Sequence, residues 1–389
     1  MFGLLFLLLP VAVAYGWYMG QRSVQQHRKR KSSQLSRQYV AGLNLLLSDQ
    51  SDKAVDLFID LLQVDAETIE THLALGNLFR QRGEVDRAIR IHQNLIARPN
   101  LDIEQRHLAL LQLSRDYRVA GLFDRAEAIL LELIDEPEHS ETALKNLLDL
   151  YQQTREWNKA VAVSDRISPK MVSDIHKQIA HFYCEMANEE EANGQFNKKV
   201  QGLLKKALSH DATCIRARVH LSELLVENQR YKEAFKLIEP IPDMDIDMLS
   251  DYLPLVEKVF QGLGDRRGYQ HYLEQAIRLG GGASVTVELA SLVENEHPEI
   301  AVRIILDELR RRPTIKCFHH LIAYHIEQAE PGQTKNNLQL LQELVAMQMA
   351  VRPHYQCHQC GFSSHAMYWH CPSCKSWGTI KPVRGLDGE

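Results

Sequence analysis

A short sequence motif recurs through most of this chain at a spacing close to 34 residues, and this period constrains the fold more than any other feature. Gly42 and Gly76 are 34 residues apart, and so are Ala54 and Ala88. A repeat of this length is typical of a pair of helices, which cannot bury its own apolar face and must stack on its neighbours. Since residues from about 38 to 345 show no strand-like alternation, the period predicts an all-α solenoid.

The recurring motif is centred on an alanine, and most copies place two polar residues before it. The alanines are Ala54, Ala88, Ala126, Ala160, Ala234 and Ala301. We expect each alanine, and the small residue of the preceding helix, to lie where the two helices of a unit cross closely. Larger side chains fill the gap toward the next unit (Phe58, Leu130, Leu204, Ile305), and small or polar residues form the turns (Gly83, Gly121, Asn228, Gln229, Gly264).

This pattern resembles the tetratricopeptide repeat family, whose helical-hairpin arrays present long concave surfaces to peptides and helices. The resemblance is good for six units and weaker around residues 181–212 and 249–280, and the family's characteristic tryptophan is absent. It implies a tetratricopeptide-repeat solenoid of eight or nine units over residues 38–348. A non-repetitive helical domain is the alternative.

Other groups along the array invite a functional interpretation, but each has a simpler one. His72, His92 and His107 are expected to be ordinary surface or core histidines without partners. The three consecutive glutamates at 189–191 are expected to form a solvated helix face. The glycines at 280–282 predict a turn and not a phosphate loop, because no lysine follows at the required spacing and no strand precedes them.

Residues 1–20 are predicted to form a transmembrane anchor. Residues 2–19 include 15 apolar side chains and no charged one, and as a helix they would be about 27 Å long, enough to cross the hydrocarbon core. A cleaved signal peptide is the alternative, but here the basic run follows the apolar segment instead of preceding it. That run, a juxtamembrane segment at residues 21–37 with six Lys and Arg and no acidic residue, predicts a single-pass protein with a periplasmic N-terminus and a cytoplasmic body.

The remainder of the chain is acidic, with 39 basic against 50 acidic side chains. Because phosphate binding needs a basic surface, nucleic acid is not an expected partner. For the basic run at residues 21–37, contact with anionic lipid and a simple stop-transfer role both stay open.

The strongest local motif is a pair of CxxC segments near the C-terminus, formed by Cys357, Cys360, Cys371 and Cys374. Two such pairs separated by ten residues can supply four thiolates to one tetrahedral metal ion. A thioredoxin-like redox pair is the rival interpretation, but it needs one CxxC, at a helix start after a strand. Four sulfur ligands leave no open position, so we interpret the site as structural. The other cysteines (Cys184, Cys214, Cys317) are isolated and form no disulfide framework.

The metal domain is predicted to span residues 349–389, a segment too small to fold without the ion. Its aromatic residues are expected to form most of its core (Phe362, Tyr368, Trp369, Trp377), and its histidines are substitute ligands for which four cysteines leave no vacancy (His358, His365, His370). The pattern CxxCG…CPxC resembles the rubredoxin knuckles in miniature. The loop between the pairs is shorter, and Lys375 stands where the usual glycine would follow the last cysteine. Iron and zinc both accept tetrahedral sulfur.

An inward-facing anchor, a tetratricopeptide array and a terminal rubredoxin-like domain, in this order and at this length, resemble the lipopolysaccharide assembly protein B family over the whole chain. The resemblance implies a regulatory protein of the Gram-negative inner membrane. It would promote degradation of the deacetylase that commits precursors to lipid A, by a membrane-anchored AAA+ zinc protease, under restraint by an inner-membrane lipopolysaccharide sensor protein. The resemblance also implies that the array packs against the metal domain and that the four cysteines bind iron, with zinc as the alternative.

Function follows from the same features. No nucleophile–base pair, carboxylate pair or nucleotide loop is present in the sequence, so we expect a scaffold or adaptor and not an enzyme. A small electron-transfer module docked to a repeat scaffold is the alternative, and a zinc-ribbon nucleic-acid binder is disfavoured by the acidic body. A monomer and a homo-oligomer both stay open.

Overall fold

The computed structural model describes residue 19 and residues 69–99, 101–167, 174–192 and 198–389. Apart from residue 19, the predicted anchor lies outside the described residues, as do the basic segment and the first predicted unit with Gly42, Ala54 and Phe58. Among the described helices, none is both long and apolar enough to cross a membrane.

The chain divides into two compact units, Met1–Ala143 and Leu144–Glu389. The described helices of the first unit are α1 (Ile69–Gln81), α2 (Val85–Ile96), α3 (Ile103–Val119) and α4 (Phe123–Leu133), and α5 (Ser140–Thr154) runs across the boundary.

The second unit continues with helices and ends in a small sheet. Its helices are α6 (Trp157–Ser164), α7 (Ile175–Ala192), α8 (Lys198–His210), α9 (Ile215–Glu227), α10 (Tyr231–Ile238), α11 (Ile241–Met244), α12 (Leu249–Leu263), α13 (Arg266–Arg278), α14 (Ala283–Glu294), α15 (Pro298–Arg311), α16 (Ile315–Gln328) and α17 (Gln333–Val351). Its strands are β1 (Tyr355–Cys357), β2 (Ser363–Ser364) and β3 (Ile380–Pro382). Within the described ranges, all but the short α11 form eight successive helix pairs, which confirms the predicted helical solenoid.

Small residues lie at the helix crossings, as the motif predicts. The described motif alanines are all buried: Ala88, Ala126, Ala160, Ala234 and Ala301. In α1, Gly76 lies directly against the His92 ring of α2, where a β-carbon would come within 2.4 Å of Nε2. The alanines and this glycine therefore permit a helix separation that a larger side chain would prevent.

The turns inside the units use left-handed backbone. Gly83, Gly121 and Gly264 have φ of 82°, 76° and 67°, a region that glycine enters without a steric penalty. Arg155 and Gln229 take the same conformation, with φ of 60° and 59°. The turn geometry is therefore kept even where the sequence offers no glycine.

The expectation that His72, His92 and His107 have no partners is wrong. His72 Nε2 lies 3.3 Å from the Arg98 guanidinium, and the His107 ring contacts His139 at 5.5 Å.

His92 belongs to a buried network. Its Nδ1 is hydrogen-bonded to the buried Asp116 carboxylate of α3, and the other carboxylate oxygen accepts from Arg80 at 2.7 Å. Arg80 also donates to the Gln112 side chain at 3.0 Å. This network links α1, α2 and α3, which belong to two successive helix pairs.

The glutamate run at 189–191 is also not simply a solvated face. Glu189 accepts a hydrogen bond from Trp157 Nε1 at 2.9 Å. Glu190 forms an ion pair with Lys199, and Glu191 Oε1 lies 2.9 Å from His220 Nε2. Each glutamate therefore ties α7 to a different neighbouring helix.

One irregular segment interrupts the regular pairs. Between α10 and α12, the short helix α11 is followed by a 3₁₀ turn (Ile246–Met248). The Asp245 side chain accepts from the backbone N–H of Asp247 at 3.2 Å. This insertion brings two aspartates to a surface that the C-terminal sheet contacts.

We predict that Gly76→Ala destabilises the chain and that Gly202→Ala does not. The new methyl group at residue 76 would collide with a histidine ring that Asp116 holds in place, at a cost of about 1–3 kcal/mol. Gly202 lies in α8 with open space around it, so alanine there should stabilise the helix by about 0.5–1 kcal/mol. Chemical denaturation followed by helical circular dichroism gives the comparison. Equal effects of the two substitutions would contradict the close crossing at Gly76.

Candidate metal centre

The C-terminal domain is built on a three-stranded antiparallel sheet in the order β2-β1-β3. Tyr355 pairs with Ser364 on one side and with Pro382 on the other. At the end of β1, Cys357 lies opposite Ile380, and both are buried. The sheet thus carries the first cysteine into the small apolar core of the domain.

The two CxxC segments form knuckles with the same backbone hydrogen bonds. In the first, Gly361 N donates to Cys357 O at 2.9 Å, and in the second, Lys375 N donates to Cys371 O at 3.0 Å. Each leading cysteine also donates its own N–H five residues ahead, Cys357 to Phe362 O and Cys371 to Ser376 O. The matching geometry presents both pairs of sulfurs to one point.

Lys375 occupies a backbone position that suits glycine. Its φ is +60°, close to the +77° of Gly361 at the equivalent place in the first knuckle. A lysine in this region is strained by about 1–2 kcal/mol. The departure from the rubredoxin pattern noted in the sequence therefore changes the side chain and leaves the knuckle geometry intact.

The four sulfur atoms have the spacing of a tetrahedral metal site. All lie within 4.8 Å of one another, and the pairs Cys357–Cys374 and Cys360–Cys371 are each 3.7 Å apart. A tetrahedron with metal–sulfur bonds of about 2.3 Å has edges of about 3.8 Å. The residues therefore fit one ion, and in the described part of the chain no other group of three or more potential ligands comes together.

The surroundings of the sulfurs suit thiolates held by a cation. Burial raises the pKa of the Cys357 thiol, but hydrogen bonds from the Thr379 hydroxyl and from backbone N–H groups outweigh it and lower the pKa below its usual value. Hydrogen bonds from Ser376 lower the pKa of Cys374. Burial raises the pKa of Cys371, so a nearby cation is needed to keep that sulfur ionised at neutral pH.

Two of the three histidines considered as substitute ligands, His365 and His370, make other contacts. His370 Nε2 is 2.8 Å from Lys375 O, and its ring stacks on Trp377 at 4.4 Å. The His365 ring lies against His354 at 5.5 Å. Cys184, Cys214 and Cys317 are buried among array helices. The expectation that all three are isolated is wrong for two of them, because the Cys184 and Cys214 thiols are hydrogen-bonded to each other.

The expectation that Trp369 and Trp377 lie in the core of the metal domain is wrong. Both tryptophans contact the array instead. The Trp377 ring lies 5.9 Å from Phe182 and 6.1 Å from Trp157, edge to face in both cases. Its Nε1 donates to Gln152 Oε1 at 2.8 Å. Trp369 lies under the Arg216 guanidinium at 6.0 Å. Of the four aromatic residues, Phe362 packs against the core of the domain.

A buried histidine lies at the centre of this aromatic contact. His181 of α7 stacks on Trp377 at 5.0 Å and lies 6.0 Å from Trp369, and its Nδ1 is buried without a hydrogen-bond partner. Burial, together with the nearby Arg216 and His370, lowers its pKa from 6.5 to about 3. His181 is therefore neutral at physiological pH.

A second contact joins the metal domain to the insertion before α12. Lys381 forms an ion pair with Asp245 at 2.7 Å, and Arg384 one with Asp247 at 2.5 Å. These side chains are between a fifth and a third exposed, so each pair contributes modestly. The pairs fix the side of the array on which β3 lies.

The third contact holds the last residues against α14 and α16. Glu389 accepts from Ser284 N at 2.8 Å and from Ser284 Oγ at 2.7 Å, and it is paired with Lys316. Ile315 N donates to Leu386 O at 2.8 Å. A carboxylate at the start of α14 is also favoured by the helix dipole.

Sequence reasoning found the four cysteines and missed most of this docking surface. His181, Gln152 and Asp245 carry no motif of their own. The aromatic content of the metal domain was one available signal for a docking surface. The domain has more large aromatic residues than a core of three buried side chains (Cys357, Cys371, Ile380) can contain.

Two family models match parts of the chain, and curated relatives match its whole length. A rubredoxin metal binding domain matches residues 355–382, and a tetratricopeptide repeat matches residues 71–104. The chain is 44% identical over 389 residues to lipopolysaccharide assembly protein B of Escherichia coli strain K12, covering 100% of both chains. It is 41% identical to the protein of the same name from Haemophilus influenzae strain Rd, covering 98% of each. A tetratricopeptide repeat protein from Parabacteroides merdae is similar in structure over 72% of this chain and 100% of its own, at 15% identity and a TM-score of 0.33.

We predict that Cys371→Ser lowers the metal content and loosens residues 355–382, because ion binding and folding of such a small domain are one event. The helices should keep their circular dichroism signal, since repeats contact mainly their neighbours. Elemental analysis and hydrogen exchange provide the measurements. Cys317→Ala is the matched control, a buried cysteine outside the cluster that should leave metal content unchanged. Full metal loading of a Cys357→Ser, Cys371→Ser double variant would disprove the assignment.

We also predict that acid weakens the docking through His181. When the metal domain is undocked, the His181 imidazole binds a proton as the pH falls below its ordinary pKa of 6.5. When the domain is docked, the imidazole stays neutral down to about pH 3. Docking is therefore strongest above pH 6.5. Below that pH, the equilibrium constant for docking should fall by up to about tenfold for each pH unit. Hydrogen exchange of residues 369–378, followed from neutral pH to about pH 5, measures this in metal-loaded protein. The His181→Phe variant should lose most of the pH dependence of this exchange. If the exchange of the variant changed with pH as much as that of the wild type, the prediction would be wrong.

Proposed function

The chain belongs to the lipopolysaccharide assembly protein B family, and we propose on that basis that it acts in lipopolysaccharide assembly as a non-catalytic scaffold. Identity at the 40% level over the full length carries this proposal, because it covers the array and the metal domain together. The described site supports it, since four sulfur ligands complete a tetrahedral shell and leave no position for a substrate.

The metal domain would act as a brace on the scaffold. It contacts α5–α7 through Trp377, the insertion through Lys381, and α14 and α16 through Glu389. Helix pairs that touch only their neighbours can change their stacking angles in small steps. A domain that binds the array at three separated places opposes such changes, so loss of the ion would alter the surface that the array offers to partners.

The partners we propose are those that the family resemblance implies. The scaffold would present the lipid A-committing deacetylase to a membrane-anchored AAA+ zinc protease, and an inner-membrane lipopolysaccharide sensor protein would restrain it. Residues 1–20 would anchor the chain in the inner membrane with the array in the cytoplasm. Confinement to the membrane raises the effective concentration toward membrane-bound partners, by roughly 10²–10⁴ in apparent affinity for linked modules.

The ion itself would have a structural role. Cys357, Cys360, Cys371 and Cys374 would hold it, and its charge would keep four thiolates ionised in a small domain. We propose iron from the resemblance to rubredoxin, with zinc as the alternative that accepts the same ligands.

The test is the cellular half-life of the deacetylase in cells that carry single variants. Trp377→Ala should lengthen it several-fold, because it removes the ring contacts of this half-buried tryptophan and its hydrogen bond to Gln152 and so releases the brace. Removal of residues 1–20 should have the same effect on a folded, metal-loaded protein. The matched control is Tyr368→Ala, which removes an aromatic residue of the same domain that is 44% exposed.

Two results would refute parts of this proposal. An unchanged half-life in the Trp377 variant, with the docking shown to be lost, would mean that the brace does not serve regulation. Normal turnover with the anchorless protein at native abundance would mean that membrane confinement is not needed.

A further inference from the structure

The last helix of the array differs from every earlier second helix of a pair. In the described pairs from α2 to α15, each second helix buries between two and four side chains. α17 is 19 residues long and buries none. Terminal repeats of a solenoid normally carry a polar outer face, because no further repeat covers them.

The outer face of α17 is apolar instead of polar. One side of the helix is half-buried, at Leu338, Gln342, Val345 and Met349, and we assign it to the packing of α17 on α16. On the other side, Leu340, Leu344, Met347 and Val351 are 58%, 49%, 56% and 77% exposed. Contiguous exposed apolar side chains of this kind mark interaction surfaces.

The exposed residues have the spacing of a coiled-coil seam. Together with Asn337 they follow one another at steps of three, four, three and four residues, as the seam positions of a heptad do. The four apolar members would form the contact. A single asparagine in such a seam sets register and favours a dimer, because it pairs with the same residue of the other helix.

Charge also favours an identical partner. The seam contains no charged residue, and α17 has two in all, Lys335 and Glu343. Two copies can therefore bring these faces together about a two-fold axis without placing like charges opposite one another. A partner of different sequence would need its own uncharged seam with a matching polar position.

We propose that α17 is a self-association surface, through which two copies of this chain pair along the seam of Asn337, Leu340, Leu344, Met347 and Val351. The pairing continues the packing between successive units, with the second copy taking the place that a further helix would occupy. Because 19 residues make a helix of only about 28 Å, the interface is small, and we expect association in the micromolar range. This proposal does not depend on the proposed function.

The test compares the full chain in detergent with two variants by sedimentation velocity over a concentration series. Leu344→Glu places a carboxylate in the seam and should raise the dimer dissociation constant by at least about tenfold. The matched control is Gln339→Glu, the same charge change on an exposed residue of α17 outside the seam, which should leave it unchanged. Helical circular dichroism shows that both variants are folded.

A photo-crosslinking amino acid at residue 347 identifies the neighbour directly. The expected product has twice the mass of the chain and joins α17 to α17. A wild-type chain that stays monomeric at the highest soluble concentration would overturn the proposal, as would a dimer that Leu344→Glu does not weaken. Crosslinks from residue 347 only to a different protein would overturn it as well and assign the seam to a heterologous helix.

Discussion

Close approach of helices at small side chains is the interaction on which the array depends. The motif alanines are buried, and at Gly76 the partner ring of His92 occupies the space of a missing β-carbon. Because each crossing is this tight, successive pairs interdigitate and share apolar surface that no pair can bury alone. The same tightness explains the buried network of His92, Asp116 and Arg80, in which polar groups are tolerated because they satisfy one another.

The metal domain solves a different physical problem. Its own core has three buried side chains, so the ion and the docking surface have to supply the stability that a larger core would. The ion would fix the two knuckles, which in turn place Trp369 and Trp377 against the array. Metal binding and docking would thus be coupled through short covalent connections, since Trp377 lies three residues after Cys374.

Period and spacing made the helical units, their buried alanines and the four cysteines predictable, because each is a local pattern with a direct geometric meaning. The contacts of Glu189 with Trp157 and of Trp377 with Gln152 were not predictable. They join residues 32 and 225 positions apart and depend on how many units intervene and at what angles they stack. His92 shows the same limit, because its role is defined by a carboxylate on another helix. The predicted anchor remains a prediction.

Docking of the metal domain also changes the mechanics of the chain. An isolated run of stacked helix pairs is elastic, because it can lengthen and shorten through small rotations at every junction between pairs. Here the segment between Gln152 and Ser284 is bridged at both ends by one domain, so it forms a closed ring and not an open coil. A force that pulls this part of the chain is therefore shared between the metal domain and the helix pairs, and the bridged segment is stiffer than an unbridged run of the same length.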